Sequence, residues 1–296
     1  MESRSQVSNR DRASHASYDY IGAGIALLLR PPASTAFQAM CVDWSGIQAS
    51  SPLGAVLRIP LRLVPKGMVL RIRRGPAKGL KWTSGSCNHG CWLGTYELSK
   101  QDALLRFVKP GMTIYDIGAQ AGFYTLFFSR LVGSEGLVYS FEPSAVAVQA
   151  LLFHVNSNGL KNVRIVQAAV AERPGLCTFT FDRGATQNML VSEYDTGLLV
   201  PTVSLDDMRI TPPSLIKMDV EGAESGVLAG ARRVIERYRP ILFIALHGEV
   251  QHQACRTVLN AVGYRIYDLA GGEIRGPIET DEVYALPEES KDDDTQ

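Results

Sequence analysis

The sequence predicts an α/β fold in which a mostly parallel sheet is covered by helices on both faces. From about residue 99 onward, short apolar runs alternate with longer stretches of helical periodicity. The runs are apolar throughout, as strands buried on both faces of a sheet are. In addition, 46% of the 296 residues are hydrophobic, which is enough for a large core.

Predicted strands alternate with predicted helices along this part of the chain. Ser144 is a plausible N-cap, and Asn158-Gly159 a plausible end, for the second helix. Two further runs near the C-terminus are close enough in sequence to form a hairpin-like ending. The predicted core strands are 113–116, 137–142, 163–167, 215–219 and 241–246, the helices are 121–131, 144–157, 223–236 and 250–262, and the two terminal strands are 264–269 and 282–286.

The rest of the chain divides around this predicted domain of residues 99–287. Residues 1–49 form an N-terminal extension that we expect to be partly disordered, and the charged residues 288–296 a disordered tail. Residues 50–98 alternate in places but are interrupted by Pro60 and Pro65, so we predict an irregular N-terminal cap with a few strands.

Composition limits the partners and the compartment. Thirty basic and thirty acidic residues cancel, so nothing favours nucleic acid or a membrane, and we expect a small-molecule partner. The apolar run 21–29 is too short for a membrane helix of about 20 residues, and it resembles a secretion signal only weakly. Five scattered cysteines favour the cytoplasm, and the group at 87–91 falls short of a structural zinc pattern. The oligomeric state stays open between monomer and homodimer.

The stretch IYDIGAQAGFYT, residues 114–125, is the predicted cofactor loop. A dinucleotide loop has the pattern G-x-G-x-x-G after its strand, whereas this loop reads D-x-G-A-x-x-G. The acid at the strand end would repel a pyrophosphate and would favour a ligand with an ammonium or sulfonium group. The predicted cofactor-binding residues of this loop are Asp116, Gly118, Ala119, Gly122, Phe123 and Tyr124.

Glu142 and Pro143 follow the next predicted strand. A carboxylate at that strand end can accept hydrogen bonds from both ribose hydroxyls. Together with Asp116 it indicates a nucleoside that carries a positively charged tail, and S-adenosylmethionine matches this description. The alternative is that both acids are solvent-facing strand ends and that the glycines serve tight packing.

The stretch LIKMDVEGAE, residues 215–224, contains the predicted catalytic group. Methyl transfer is an in-line displacement that depends mainly on positioning, so we expect Asp219 first, and Glu221 second, to orient the acceptor hydroxyl or the donor. His247, just past the next strand, is the candidate general base. The alternative is that these residues have structural roles alone: Lys217 and Asp219 form an ion pair, Glu221 caps a helix and His247 is bonded to a carbonyl. We predict no metal, because carboxylates within one short segment do not make a Mg²⁺ site.

The chain resembles the FkbM-type family of S-adenosylmethionine-dependent methyltransferases. The resemblance rests on the segments WLGTYE, VKPGMTIYDIGAQAGFYT, VYSFEPS, VSLDD, LIKMDVEGAESGVLAGA and RPILFIALHG, between residue 92 and about residue 269. It implies a Rossmann-like class I methyltransferase fold with a seven-stranded, mostly parallel sheet. It also implies methylation of a hydroxyl on a sugar, polyol or secondary metabolite, and suggests that Tyr96 and Glu97 border the site from the cap side. We predict Lys217 as a further residue on the substrate side.

Two positions depart from the family pattern. Ala245 stands where the family often has an acid before the histidine of the last motif. After the third strand, Gln167 and Ala168 offer no acid for an adenine amino group, which leaves Glu172 as the remaining candidate. We expect the acceptor pocket to form from the cap and from loops such as 182–196.

The sequence alone therefore leaves three candidate functions. An S-adenosylmethionine-dependent O-methyltransferase is the leading one. A non-catalytic cofactor-binding scaffold with the same fold is the second, with Ala245 as its hint. A dinucleotide-dependent oxidoreductase is disfavoured by Asp116 and by the absence of a third glycine in the loop.

Overall fold

A computed structural model describes residue 61 and residues 63–181, 188–191 and 197–288 of the chain. The predicted N-terminal extension, the predicted tail beyond residue 288 and the larger part of loop 182–196 lie outside these residues. The strands are β1 Val69–Arg71, β2 Lys81–Thr83, β3 Thr113–Ile117, β4 Leu137–Phe141, β5 Val163–Val166, β6 Ala169–Val170, β7 Gly175–Phe181, β8 Asn188–Val191, β9 Leu198–Val203, β10 Leu215–Met218, β11 Ile241–Ala245, β12 Tyr264–Asp268 and β13 Glu282–Pro287. The helices are α1 His89–Leu93, α2 Leu98–Leu105, α3 Phe123–Val132, α4 Ala145–Ser157, α5 Glu224–Ala229, α6 Arg232–Tyr238 and α7 Glu249–Ala261.

The central sheet has seven strands in the order β12-β13-β11-β10-β3-β4-β5. All five predicted core strands are present and pair in parallel, which confirms the predicted α/β fold. The last two strands do pair with each other in antiparallel fashion, as the hairpin-like ending predicts. However, β13 inserts between β11 and β12 and is antiparallel to both. None of the described helices is both long enough and apolar enough to cross a membrane.

The alternation of side chains along β10 shows how the two faces of the sheet are used. Leu215 packs with the cap and α3, whereas Ile216 and Met218 pack with α5, α6 and α7 on the opposite face. Lys217 points to the same face as Leu215, because side chains two residues apart share one face of a strand. Its register partner on β3 is Asp116, so these two charged side chains lie beside each other on the cap side.

The predicted helix 223–236 is wrong as one continuous helix, because α5 ends at Ala229 and α6 begins at Arg232. The carbonyl oxygen of Gly230 accepts hydrogen bonds from the Ser204 hydroxyl at 2.8 Å and from the Asp206 N–H at 2.9 Å. These two donors, which lie outside the helix, take the place of the backbone N–H group that would bond to this carbonyl if the helix continued. A side chain at Gly230 would also lie 2.1 Å from the Ala171 carbonyl oxygen, so only glycine fits the break.

The cap is bonded directly to helix α4. Fully buried Trp82 stacks on His154 with ring centroids 4.1 Å apart. One imidazole nitrogen, Nε2, accepts the Thr83 N–H at 2.9 Å, and the other, Nδ1, lies 2.8 Å from the Ala121 carbonyl oxygen. The Asn158 amide accepts from the N–H of Lys81 and donates to its carbonyl, as a neighbouring strand would. Cap residues thus share the core on the α3 side of the sheet.

A second sheet, of four strands in the order β6-β9-β7-β8, was not predicted from the sequence. Among the side chains of this sheet that the structure describes, Ala169, Phe179 and Val200 form a small buried apolar cluster. Other apolar side chains of these strands are exposed; Leu176, for example, is 69% exposed. Because exposed apolar side chains interrupt the alternation of apolar and polar residues, the sequence pattern does not identify these strands.

Candidate active site

A crevice that is open to solvent lies at the carboxyl ends of β3, β4 and β10. This is where ligands bind in open parallel sheets. Most of the residues predicted for the site line it, whereas Asp116, Gly122, Glu97 and His247 do not. The predicted residues that do line it are Tyr96, Gly118, Ala119, Phe123, Tyr124, Glu142, Pro143, Lys217, Asp219 and Glu221.

Gly118 forms the floor of the crevice, where the loop after β3 passes the loop after β10. Its φ is +73°, and a Cβ there would lie 1.8 Å from the Asp219 carbonyl oxygen. The N–H groups of Gly118 and Ala119 both donate to the Phe141 carbonyl, each at 3.0 Å. The first N–H groups of this loop are therefore already used within the protein. Gly122 has a packing role instead, because a Cβ there would lie 2.3 Å from Leu151 of α4.

Glu142 lies at the end of β4, where the sequence predicts it. One carboxylate oxygen accepts the Gln120 N–H at 2.8 Å and the other accepts the Ser144 N–H at 2.8 Å. Burial raises the pKa of Glu142 against the opposing effect of these two donors. Because a carboxylate oxygen has two acceptor positions, each oxygen retains one for a ligand.

Asp116 is fully buried, and its carboxylate does not reach the crevice. It accepts a hydrogen bond from the Thr125 hydroxyl at 2.7 Å and lies 3.3 Å from the Lys217 ammonium. The same ammonium donates to the Gly118 carbonyl at 3.2 Å. The sequence predicts that Asp116 faces the cation of the ligand, but in the structure it faces Lys217. The alternative prediction is a Lys217–Asp219 ion pair, whereas the parallel register places Lys217 beside Asp116.

His247 lies among three carboxylates. Its Nδ1 is 2.8 Å from a Glu224 oxygen, and its Nε2 is 3.1 Å from a Glu221 oxygen and 3.7 Å from an Asp219 oxygen. The hydrogen bond to Glu224, more than the charges of Glu221 and Asp219, raises the pKa of His247 to about 9. An imidazole with this pKa is protonated at neutral pH, so it has no lone pair with which to accept a proton. The Glu224 carboxylate takes the place of the carbonyl partner that the alternative predicted. The role of His247 as a general base stays a prediction.

Glu224, rather than Glu221, caps the turn that precedes α5. Its oxygen accepts the Gly222 N–H at 2.9 Å while it holds the His247 imidazole. Glu221 lies one turn earlier with a left-handed φ of 53° and lines the crevice. The two glutamates thus approach the histidine from different positions.

Asp219 lines the crevice beside Gly118. Burial on its own would raise the pKa of this carboxyl, but the nearby charges of Lys217 and Lys100, with that of His247, hold it below its usual range. Asp219 is therefore ionised at neutral pH. An ionised carboxylate at this position can accept a hydrogen bond from a hydroxyl or attract a cationic group.

Lys100 is a residue of the site that the sequence analysis missed. Its ammonium, on a side chain only 3% exposed, lies 2.7 Å from Glu97, 2.5 Å from Glu282 and 3.8 Å from Asp219. A lysine on the same helical face as the buried Ala103 and Leu104 is the signal that could have identified it.

Glu282 explains how the chain tolerates Ala245 in place of an acid. These two residues are register partners on β11 and β13, so Glu282 supplies a carboxylate beside the position where the family often has one. Burial raises the pKa of Glu282 to about 7, and the charges of Glu97 and Asp219 add to this, because Lys100 is shared among all three carboxylates.

On the cap side, Tyr96 lines the crevice together with Cys87 and Asn88. Glu97 lies behind this wall, where it accepts the Tyr124 hydroxyl at 2.9 Å. The opposite end of the crevice is apolar and is lined by Phe141, Ala168, Ala169, Val170 and Phe179. Glu172, the remaining candidate for an adenine contact, is 59% exposed and pairs with Arg173 instead.

Comparison with known proteins gives one family and several distant structures. The methyltransferase FkbM domain matches residues 116–266, which is more than half of the chain. The FkbM methyltransferase from Methylobacillus flagellatus is 18% identical with a TM-score of 0.44, and the match covers 68% of this chain and 55% of that one. An S-adenosylmethionine-dependent O-methyltransferase from Thermotoga maritima is 13% identical, with 79% and 81% covered and a TM-score of 0.42. Fibrillarin from Aeropyrum pernix, which was solved with bound S-adenosylmethionine, is 15% identical, with 76% and 100% covered and a TM-score of 0.40.

The family match begins at Asp116, at the end of β3, and ends at Ile266, in β12. It therefore spans the glycine loop, Glu142, the acidic segment and His247. The chain belongs to the FkbM methyltransferase family.

Proposed function

We propose that this protein transfers a methyl group from S-adenosylmethionine to a hydroxyl group of a small molecule. The observation that carries the proposal is the pairing of Glu142 and Asp219 on either side of the Gly118 floor of one crevice. Glu142 keeps free acceptor positions for a ribose, and Asp219 provides a negative charge for the sulfonium or ammonium end. Membership of a methyltransferase family supports the same conclusion.

The proposed orientation of the cofactor follows from the chemistry of the crevice walls. The ribose hydroxyls donate to Glu142, and the adenine ring lies against the apolar residues 168–170. The methionine end extends past Gly118 toward Asp219. This places the methyl group below the cap, where Tyr96 lines the wall.

The same loop disfavours a dinucleotide. A pyrophosphate is bound by free N–H groups at the start of a helix. Here the N–H groups of Gly118 and Ala119 are bonded to Phe141, and that of Gln120 is bonded to Glu142. The loop would have to rearrange before it could bind a pyrophosphate.

The protein acts in this reaction mainly by positioning. The acceptor oxygen attacks the methyl carbon while the carbon–sulfur bond breaks, which leaves S-adenosylhomocysteine, and the hydroxyl proton leaves to solvent. Asp219 orients the hydroxyl by accepting its hydrogen bond and holds the reacting atoms close to about 3 Å apart. Its lowered pKa makes it a weak base, so it orients the hydroxyl rather than removing its proton.

The methyl acceptor that we propose is a hydroxyl of a sugar, polyol or secondary metabolite. The purified protein is incubated with methyl-labelled S-adenosylmethionine and a panel of such compounds, with Asp219→Asn as the matched variant. The proposal is supported if wild type forms a labelled product and Asp219→Asn forms much less of it. Tight binding of S-adenosylhomocysteine in calorimetry with no labelled product would favour a non-catalytic scaffold, and tight binding of NAD instead would favour an oxidoreductase.

A further inference from the structure

Three side chains that metals prefer converge at the edge of the crevice. One ligand atom each from Asp219, Glu221 and His247 lies within 4.8 Å of the other two. The sequence predicts no metal, because the carboxylates come from one short segment. The structure removes this objection, since His247 follows β11 and the carboxylates follow β10, its parallel neighbour.

The spacing of these atoms suits a coordination sphere. Two neighbouring ligands of an octahedral ion with bonds of about 2.1 Å are about 3.0 Å apart. The His247 Nε2 atom lies 3.1 Å from Glu221 and 3.7 Å from Asp219. Small rotations of these side chains would therefore place all three atoms around one ion.

The orientation of His247 is a second and separate observation. Fully buried Glu224 lies 2.8 Å from its Nδ1, so the imidazole presents Nε2 to the other two carboxylates. Histidines that bind metals commonly donate their other ring N–H to a carboxylate in this way. Because Glu224 lies on α5 and also accepts the Gly222 N–H, its position does not depend on an ion.

The charges around this group also favour a cation. Three carboxylates contact the one imidazole. Lys217 pairs with Asp116, and Lys100 lies closer to Glu97 and Glu282 than to Asp219. A divalent ion would offset the remaining negative charge.

We propose that Asp219, Glu221 and His247 bind one divalent cation at the acceptor end of the crevice, and that the ion displaces the proton from the Nε2 atom of His247. Carboxylates suit Mg²⁺, Ca²⁺ and Mn²⁺, whereas imidazole suits transition metals, so Mn²⁺ is the ion that fits this mixed set best. The role of the ion rests on the proposed function. Bound to the acceptor hydroxyl, it favours loss of the proton to solvent, so that the oxygen attacks the methyl carbon and the carbon–sulfur electrons return to sulfur.

The test uses Mn²⁺ alone with the purified full chain after treatment with a chelator. Free Mn²⁺ is followed by electron paramagnetic resonance during a titration, and one saturable site is expected in wild type. We expect His247→Ala and Glu221→Gln each to weaken binding by about tenfold or more. The control is His252→Ala, since among the described residues His252 pairs with Asp281 and lies outside the cluster.

Circular dichroism of each variant shows whether it has folded, and Glu221→Gln decides the outcome if His247→Ala does not fold. No saturable binding by wild type up to on the order of 1 mM, the weak end of protein metal sites, overturns the proposal. Unchanged affinity in the folded variants does so too. Calorimetry with S-adenosylhomocysteine in the presence of chelator separates the two proposals: if it binds and Mn²⁺ does not, only the metal site fails.

Discussion

Replacing Lys100 with methionine tests the charge network beneath the cap. The ammonium is almost fully buried and contacts the carboxylates of Glu97 and Glu282 at 2.7 and 2.5 Å. Removing one partner of a buried ion pair costs about 3 to 5 kcal/mol, because the remaining charge stays desolvated. We therefore expect Lys100→Met to lower the free energy of unfolding by about 3 kcal/mol, the lower end of this range. Glu282, whose pKa is about 7, takes up a proton easily and relieves part of the loss.

Urea unfolding followed by circular dichroism at pH 8 measures this effect. Lys109→Met is the control, since Lys109 is exposed and should change stability by no more than about 0.5 kcal/mol. Lys100→Arg, which keeps the charge, should lose less than Lys100→Met. The double variant Lys100→Met/Glu282→Gln should be less destabilised than the sum of its two single variants, by about 1 kcal/mol or more. If Lys100→Met unfolds within 1 kcal/mol of wild type, taken as about the size of an exposed ion pair, the network does not stabilise the protein as argued.

Three further expectations follow from the site and from the cap. Glu142→Gln should weaken S-adenosylhomocysteine binding by about 1 to 3 kcal/mol in calorimetry, whereas exposed Glu135→Gln should not change it; equal affinity of both variants would contradict the ribose contact. Gly118→Ala should abolish this binding and lower the melting temperature, because the new Cβ would overlap the Asp219 carbonyl at 1.8 Å; a variant that still binds tightly would show that the loops are not in close contact. Burial lowers the pKa of His154, so between about pH 7 and 5 the unfolded chain takes up a proton that the folded chain does not, and the free energy of unfolding should fall; urea titrations should show a flatter pH dependence for His154→Gln, and an NMR titration of His154 near an ordinary value would refute this.

The site residues whose positions the sequence predicts correctly are those that come directly after a predicted strand. Gly118 and Glu142 lie at the carboxyl ends of neighbouring parallel strands, and their positions along the chain were sufficient to predict that both would line one crevice. His247 and Asp219 were likewise brought together by neighbouring strands. Their proximity was predicted, but their partners were not.

The interaction partners of these side chains were not predicted, because they depend on information that a single sequence does not contain. Asp116 pairs with Lys217 because the two strands align in one particular register, which no local pattern specifies. Glu282 reaches the site because β13 inserts between β11 and β12, so that it faces Ala245. The second sheet was not predicted because several apolar side chains of its described strands, such as Leu176 and Leu199, are exposed and do not follow the alternating pattern.

The bonds between the cap and helix α4 limit how this protein can be recombined with relatives. Trp82 stacks on His154, the Thr83 N–H donates to the same imidazole, and Lys81 is bonded through both backbone groups to Asn158, so the cap and the helix are complementary at three points. A chimera that receives the cap of a relative would need the matching helix residues as well. Exchanging residues 63–98 together with residues 145–158 should therefore give folded hybrids more often than exchanging the first segment alone.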